Sequence, residues 1–174
     1  AALPAGLPGS AAAQTTQKRE LVVAQGGDIA WLDPHMSTSS NDIRVSFNVF
    51  DNLTSRRPDG KLVPGLATEW KLQGQQAWVF KLRSGVKWHN GDPLTSADVK
   101  ATYERIINPP DGVVSVRKAY YSDFGAIDTP DPETVVFNMK GPVAGVMGLL
   151  ASPFNCVYSA AKLKQNPKYP ETEI

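Results

Sequence analysis

The chain has 174 residues, a formal net charge of +1 and a single cysteine, Cys156. Its 18 basic residues nearly balance its 17 acidic ones, which leaves no electrostatic case for nucleic acid or a polybasic membrane contact. One cysteine excludes an internal disulfide, and two histidines without a CxxC pair exclude a zinc-type ligand set, so neither a metal nor a cofactor is expected.

Residues 1 to 17 are rich in Ala, Gly, Pro and Ser, lack a hydrophobic period and predict a disordered leader. Ala11 and Ala13 before Gln14 resemble the A-x-A end of a secretory signal peptide, which implies an exported protein; a low-complexity linker is the other reading. No stretch approaches the roughly 20 apolar residues of a membrane span, so the mature chain is expected to be soluble.

Glu20 to Gln25 reads as a short buried strand, ended by Gly26-Gly27-Asp28 and followed by a loop in which Asp33-Pro34 disfavours helix. Ile43, Phe47 and Phe50 recur at i, i+4 and i+7, predicting a helix from about Asn41 to Asp51. Arg56-Arg57-Pro58-Asp59-Gly60 is a turn joining two short strands, Leu53-Thr54 and Lys61-Leu62-Val63, and its arginines read as a solvated turn.

A second hairpin runs from Leu66-Leu72 through the polar turn Gln73-Gly74-Gln75-Gln76 into a strand with Trp78, Phe80 and Leu82 on one face. Ser84-Gly85 interrupts it, Val86 and Trp88 resume the alternation, and Asn90-Gly91-Asp92-Pro93 reverses the chain. Thr95 as N-cap with Asp98 three residues later starts a helix at about Ser96, which ends at Asn108-Pro109-Pro110. Residues 111 to 125 read as loop, with Tyr120, Tyr121 and Phe124 covering the core. Thr129 to Glu133 reads as a turn, Thr134 to Met139 as a strand, Val143 to Ala151 as a short buried helix, and Lys162 to Ile174 as a polar connection. Trp70, Trp78 and Trp88 are scaffold aromatics.

No catalytic residues are arranged convincingly. His89 with Asp92 offers a base and its orienter, but both flank a turn, and an exposed turn histidine explains them; His35 is equally unsupported as a ligand. Gly26-Gly27 lacks a GxGxxG fingerprint and a phosphate-loop lysine, and Cys156 reads as a small hydrophobe.

In order, LVVAQGGDIAWLDPH, a helix into DNL, PDGKLVPGLATEW, WVFKLRSGVKWHNGDPLTSADVKATYERI and ETVVFNMKGP resemble the extracytoplasmic solute-binding proteins of peptide and nickel ABC importers. The resemblance covers Arg19 to about Ser159. It implies an α/β (mixed α+β) fold: part of lobe I of a two-lobed periplasmic-binding-protein fold, with short antiparallel hairpins and two or three helices. It places the first strand, loop and helix of the lobe I core in residues 18–50, a peripheral subdomain in 51–158 and the start of a return segment in 159–174, with the second lobe absent and ligand affinity weakened accordingly. The implied function is capture of di- or oligopeptides in the periplasm for a membrane permease, by a monomer with no chemistry of its own. Nickel chelates, opines or oligosaccharides are the alternatives within the family, and a secreted hydrolase or a fragment without ligand binding lie outside it. The loop Gly27-Asp28-Ile29-Ala30 matches the position where such proteins touch ligand, with Asp28 facing a positive group, and Tyr120 and Tyr121 lie where the peripheral subdomain borders the cleft.

Overall fold

The structure, a computed structural model, describes residues 20–172, so the expected leader at 1 to 17 lies outside the described residues. A four-stranded antiparallel sheet forms the body, built from β3 (Ala67–Gln73), β4 (Ala77–Leu82), β5 (Phe124–Asp131) and β6 (Thr134–Met139) in the spatial order β3-β4-β6-β5. A separate ribbon pairs β1 (Thr54–Arg56) with β2 (Leu62–Pro64), as the turn residues between them predict.

Period-two patterning sets the faces of the sheet. Trp78 lies opposite Phe137 and Phe80 opposite Val135, so these side chains share one face with Leu82 and Met139. That face is buried, and Lys81 and Asn138 occupy the other. Phe137 sits at its centre, with the Phe80, Tyr103 and Phe124 rings edge-on at 5.5, 4.9 and 5.9 Å.

Helix α2 (Ser96–Ile107) covers this face. The Asp98 carboxylate accepts the Thr95 backbone N–H at 2.7 Å, which is the start the sequence predicts. Two stripes run side by side along α2. Val99, Tyr103 and Ile106 enter the apolar core, while Asp98, Thr102 and Arg105, one residue out of phase, form a buried polar edge. Through this edge Asp98 accepts the Ala160 N–H at 2.8 Å and the Thr102 hydroxyl accepts the Tyr158 N–H at 2.8 Å, which moors residues 156–165 and helix α4 (Ala160–Gln165).

Several expectations need correction. Glu20 to Gln25 carries no strand: no described strand runs beside it, and Leu21, Val22 and Val23 stand 86%, 83% and 75% exposed. Without a neighbour to accept its hydrogen bonds, an apolar run has no reason to hold a strand. Helix α1 (Ser40–Ser46) stops short of Asp51, the chain leaves through turns, and Phe47 points outward. Val86 and Trp88 form no strand beyond an isolated Lys87–Pro93 bridge.

The expected turn at Thr129 to Glu133 is instead mostly the end of β5. Its pattern is hidden by a bulge that sets Phe124 to Ile127 against Met139 to Phe137. The described residues hold four α-helices rather than two or three, because α3 (Val146–Leu150) is joined by α4, capped by the Ser159 hydroxyl and anchored by Leu163.

Candidate functional site

The loop Gly27 to Ala30 lies against the start of α1. Ser39 caps that helix by accepting the Asn41 N–H at 3.2 Å, which leaves Asp42 buried in the first turn. Its carboxylate accepts the Ala30 N–H at 2.9 Å and the Ser37 hydroxyl at 2.6 Å, pinning both ends of the intervening segment. Asp28 is exposed. One of its oxygens accepts the adjacent Ile29 N–H at 2.8 Å, and no cation pairs with it among the described residues.

Beyond the loop, Asp33 to Ser37 is sunk into the molecule and held by side chains from distant parts of the chain. Arg105 of α2 donates to Asp33 Oδ2 at 2.6 Å, to the Pro167 carbonyl at 3.0 Å and to His35 Nδ1 at 3.1 Å. His35 Nε2 meets the Cys156 carbonyl at 2.9 Å. A guanidinium cannot accept and a carbonyl cannot donate, so both contacts form together only when His35 is neutral with its proton on Nε2. Burial agrees with this, lowering the His35 pKa from 6.5 to about 4 against the opposing pull of Asp33.

The Tyr158 hydroxyl donates to Asp33 Oδ1 at 2.8 Å, and burial raises its pKa so that it keeps the proton. Arg117 closes the arrangement. Its guanidinium donates to the carbonyls of Pro34 at 3.2 Å, His35 at 3.1 Å and Ser37 at 2.6 Å while lying 3.8 Å over the Phe154 ring. Cys156 is buried beside them, its thiol pushed up to about 12 chiefly by desolvation, and so is unsuited to nucleophilic chemistry.

Gly27, Asp28, Ile29 and Ala30 lie on one loop, and the two tyrosines belong to a different element. Tyr120 is exposed in the 3-10 helix Lys118–Tyr121. Tyr121 is wholly enclosed, donates to Asn155 Oδ1 at 2.9 Å and presents no face to solvent. The residue of this region that reaches the loop segment is Arg117, which sequence reasoning missed along with Asp33, His35, Arg105 and Tyr158. One signal was available: Asp98, Thr102 and Arg105 recur at i, i+4 and i+7 beside the apolar stripe of α2.

Neither larger depression involves the loop. One of about 240 Å³ is bordered by Phe50, Trp88 and Tyr169, another of about 550 Å³ by Phe47, Arg56 and Ser152. Ile29 borders only a narrow crevice of about 10 Å³. His89 is exposed, and the Asp92 carboxylate is engaged by the Asn90 amide at 2.7 Å rather than by the imidazole. Among the described residues no group of His, Cys, Asp or Glu is placed to hold a metal ion, and no helix is long and apolar enough to cross a membrane.

A solved binding protein from A. tumefaciens, AgaA in complex with agropinic acid, superposes with a TM-score of 0.76 at 30% identity, over 84% of this chain and 29% of that one. The fold is thus that of the periplasmic binding proteins. The profile of the bacterial extracellular solute-binding proteins, family 5 Middle, matches residues 61–173, and the chain belongs to that family. It is 34% identical over 93 residues to the periplasmic murein peptide-binding protein MppA of Escherichia coli, covering 53% of this chain and 17% of that protein. It is 31% identical over 155 residues to that organism's "Probable D,D-dipeptide-binding periplasmic protein DdpA", covering 86% and 29%. The chain spans less than a third of the length of these relatives, both of which are named as binding proteins.

Proposed function

We propose that the chain forms part of the substrate-binding component of an ABC importer, which captures di- or oligopeptides in the periplasm and delivers them to a membrane permease. Residues 18–50 contribute to the core of lobe I, residues 51–158 form its peripheral subdomain, and residues 159–174 begin the return. Peptide-binding relatives support the ligand class. The observation that carries the site is the exposed Asp28 carboxylate, free of any cation among the described residues, on a loop pinned by buried hydrogen bonds. A carboxylate so placed suits the ammonium group of a peptide, and the exposed backbone beside it suits strand-like pairing with an extended ligand.

A second reading, an opine as the ligand, draws on the agropinic acid complex of the 30% identical neighbour. Isothermal titration of the native protein with mixed di- and tripeptides, alongside agropinic acid, separates the two. Peptide binding in the micromolar range or tighter, weakened about tenfold or more by Asp28→Asn, is the expected result. Binding of agropinic acid alone reassigns the ligand, and unchanged peptide affinity in the variant removes Asp28 from the site.

A further inference from the structure

The stretch from Gly27 to Ser39 has little backbone hydrogen bonding of its own: among the described contacts, Met36 N–H to the Asp33 carbonyl at 3.1 Å and Ser37 N–H to the Pro34 carbonyl at 3.3 Å. Two of its own side chains add to this, Asp33 Oδ1 accepting the His35 N–H and Ser37 Oγ accepting the Ser39 N–H, each at 2.9 Å, and the remaining hold comes from elsewhere. Arg105 and Arg117, 4% and 9% exposed, arrive from α2 and from the segment before the 3-10 helix. Between them they donate to Asp33 Oδ2, His35 Nδ1 and the carbonyls of Pro34, His35 and Ser37.

We propose that Arg105 and Arg117 are positioning residues for ligand capture: a two-guanidinium clamp that fixes the backbone following Gly27 to Ala30, so that the loop meets its ligand already ordered. The clamp touches no ligand itself. Its role as an aid to capture rests on the Gly27 to Ala30 loop meeting the ligand, but its hold on Asp33 to Ser37 does not.

Planar guanidiniums suit the task because each presents several donors in a fixed fork, and Arg117 uses its fork on three carbonyls of a segment that has few other partners. A loop ordered in advance loses less conformational freedom when ligand binds, which is the source of the gain in affinity. Asp42 pins the ends of the same segment through the Ala30 N–H and the Ser37 hydroxyl, so removing the clamp frees only the backbone between these two anchors. The predicted signature is therefore local.

Hydrogen exchange on the native protein without ligand tests the hold directly. In Arg117→Met, and in the milder Arg117→Lys and Arg105→Lys, the amides of His35, Met36 and Ser37 should exchange about tenfold faster or more, with the amides of β4 and β6 unchanged. Unchanged exchange at those three amides, or a rise shared equally by β4 and β6, overturns the clamp. Titration with mixed di- and tripeptides is the second arm. Where the unsubstituted protein binds peptide, Arg117→Lys should weaken binding about tenfold, and equal affinity overturns the proposal. Where it binds none, the peptide reading falls, and the exchange data alone decide the clamp.

Discussion

Arg105 and Asp33 meet at 2.6 Å across 72 positions of sequence, and their side chains are 3% and 0% exposed. An ion pair so enclosed is useful only while it is whole, because either partner alone is a charge removed from water without compensation. Asp33→Asn keeps the shape and removes the charge, leaving the Arg105 guanidinium facing a neutral amide. The expected loss of stability is about 3–5 kcal/mol, read from the urea midpoint. A loss below about 1 kcal/mol would mean that water reaches the pair.

The His35 imidazole links stability to pH. In the folded chain it stays neutral down to about pH 4, whereas the unfolded chain takes up a proton near 6.5. The unfolded state therefore binds more protons, and stability present above pH 6.5 is lost progressively as pH falls toward 4, then levels off. The full span corresponds to about 3 kcal/mol. His35→Gln keeps a side-chain donor for the Cys156 carbonyl but cannot titrate. The difference between the two proteins, measured by urea unfolding at pH 7.5, 5.5 and 4.5, should shrink with acidity; a difference independent of pH would show that His35 does not titrate as described.

Gly65 is required for a reason of space. A Cβ there would lie 2.5 Å from the Asn52 carbonyl oxygen and 3.1 Å from that of Leu53, both backbone atoms that cannot step aside. These carbonyls accept the N–H groups of Leu66 and Ala67, tying the β1 segment to β3. Gly65→Ala should cost about 1–3 kcal/mol in chemical denaturation. Gly74, in a hairpin tip with nothing near its Cβ position, is the control for steric crowding, although its φ of +64° brings a backbone cost of its own.

Much of the fold was legible because its signals are local. Alternation in Trp78, Phe80 and Leu82, the turn around Asp59-Gly60 and the Thr95–Asp98 start each depend on residues a few positions apart, and each is present. The failures arise where the deciding partner is remote. Leu21 to Val23 has the composition of a strand, yet a strand exists only beside a neighbour. β5 hides its period in a bulge, and Phe47 satisfies a helical stripe that the helix ends too early to use.

The site divides in the same way. Gly26-Gly27-Asp28 announces a loop, but nothing near Asp33 or His35 reveals that Arg105 and Arg117 will come to them across 72 and about 80 residues. Tyr121 covers the core, as its aromatic character leads one to expect.

The paired stripes of α2 set a rule about length. Successive residues of a helix turn by about 100°, so one residue inserted between Val99 and Thr102 would swing everything after it by that angle. Arg105 would leave Asp33, and Ile106 would leave the core, in a single step. The helix works as an indexing gear whose teeth engage two different racks, oil on one side and hydrogen bonds on the other. Related chains can therefore differ in length at the open tip around Gly74, but through α2 they must keep count.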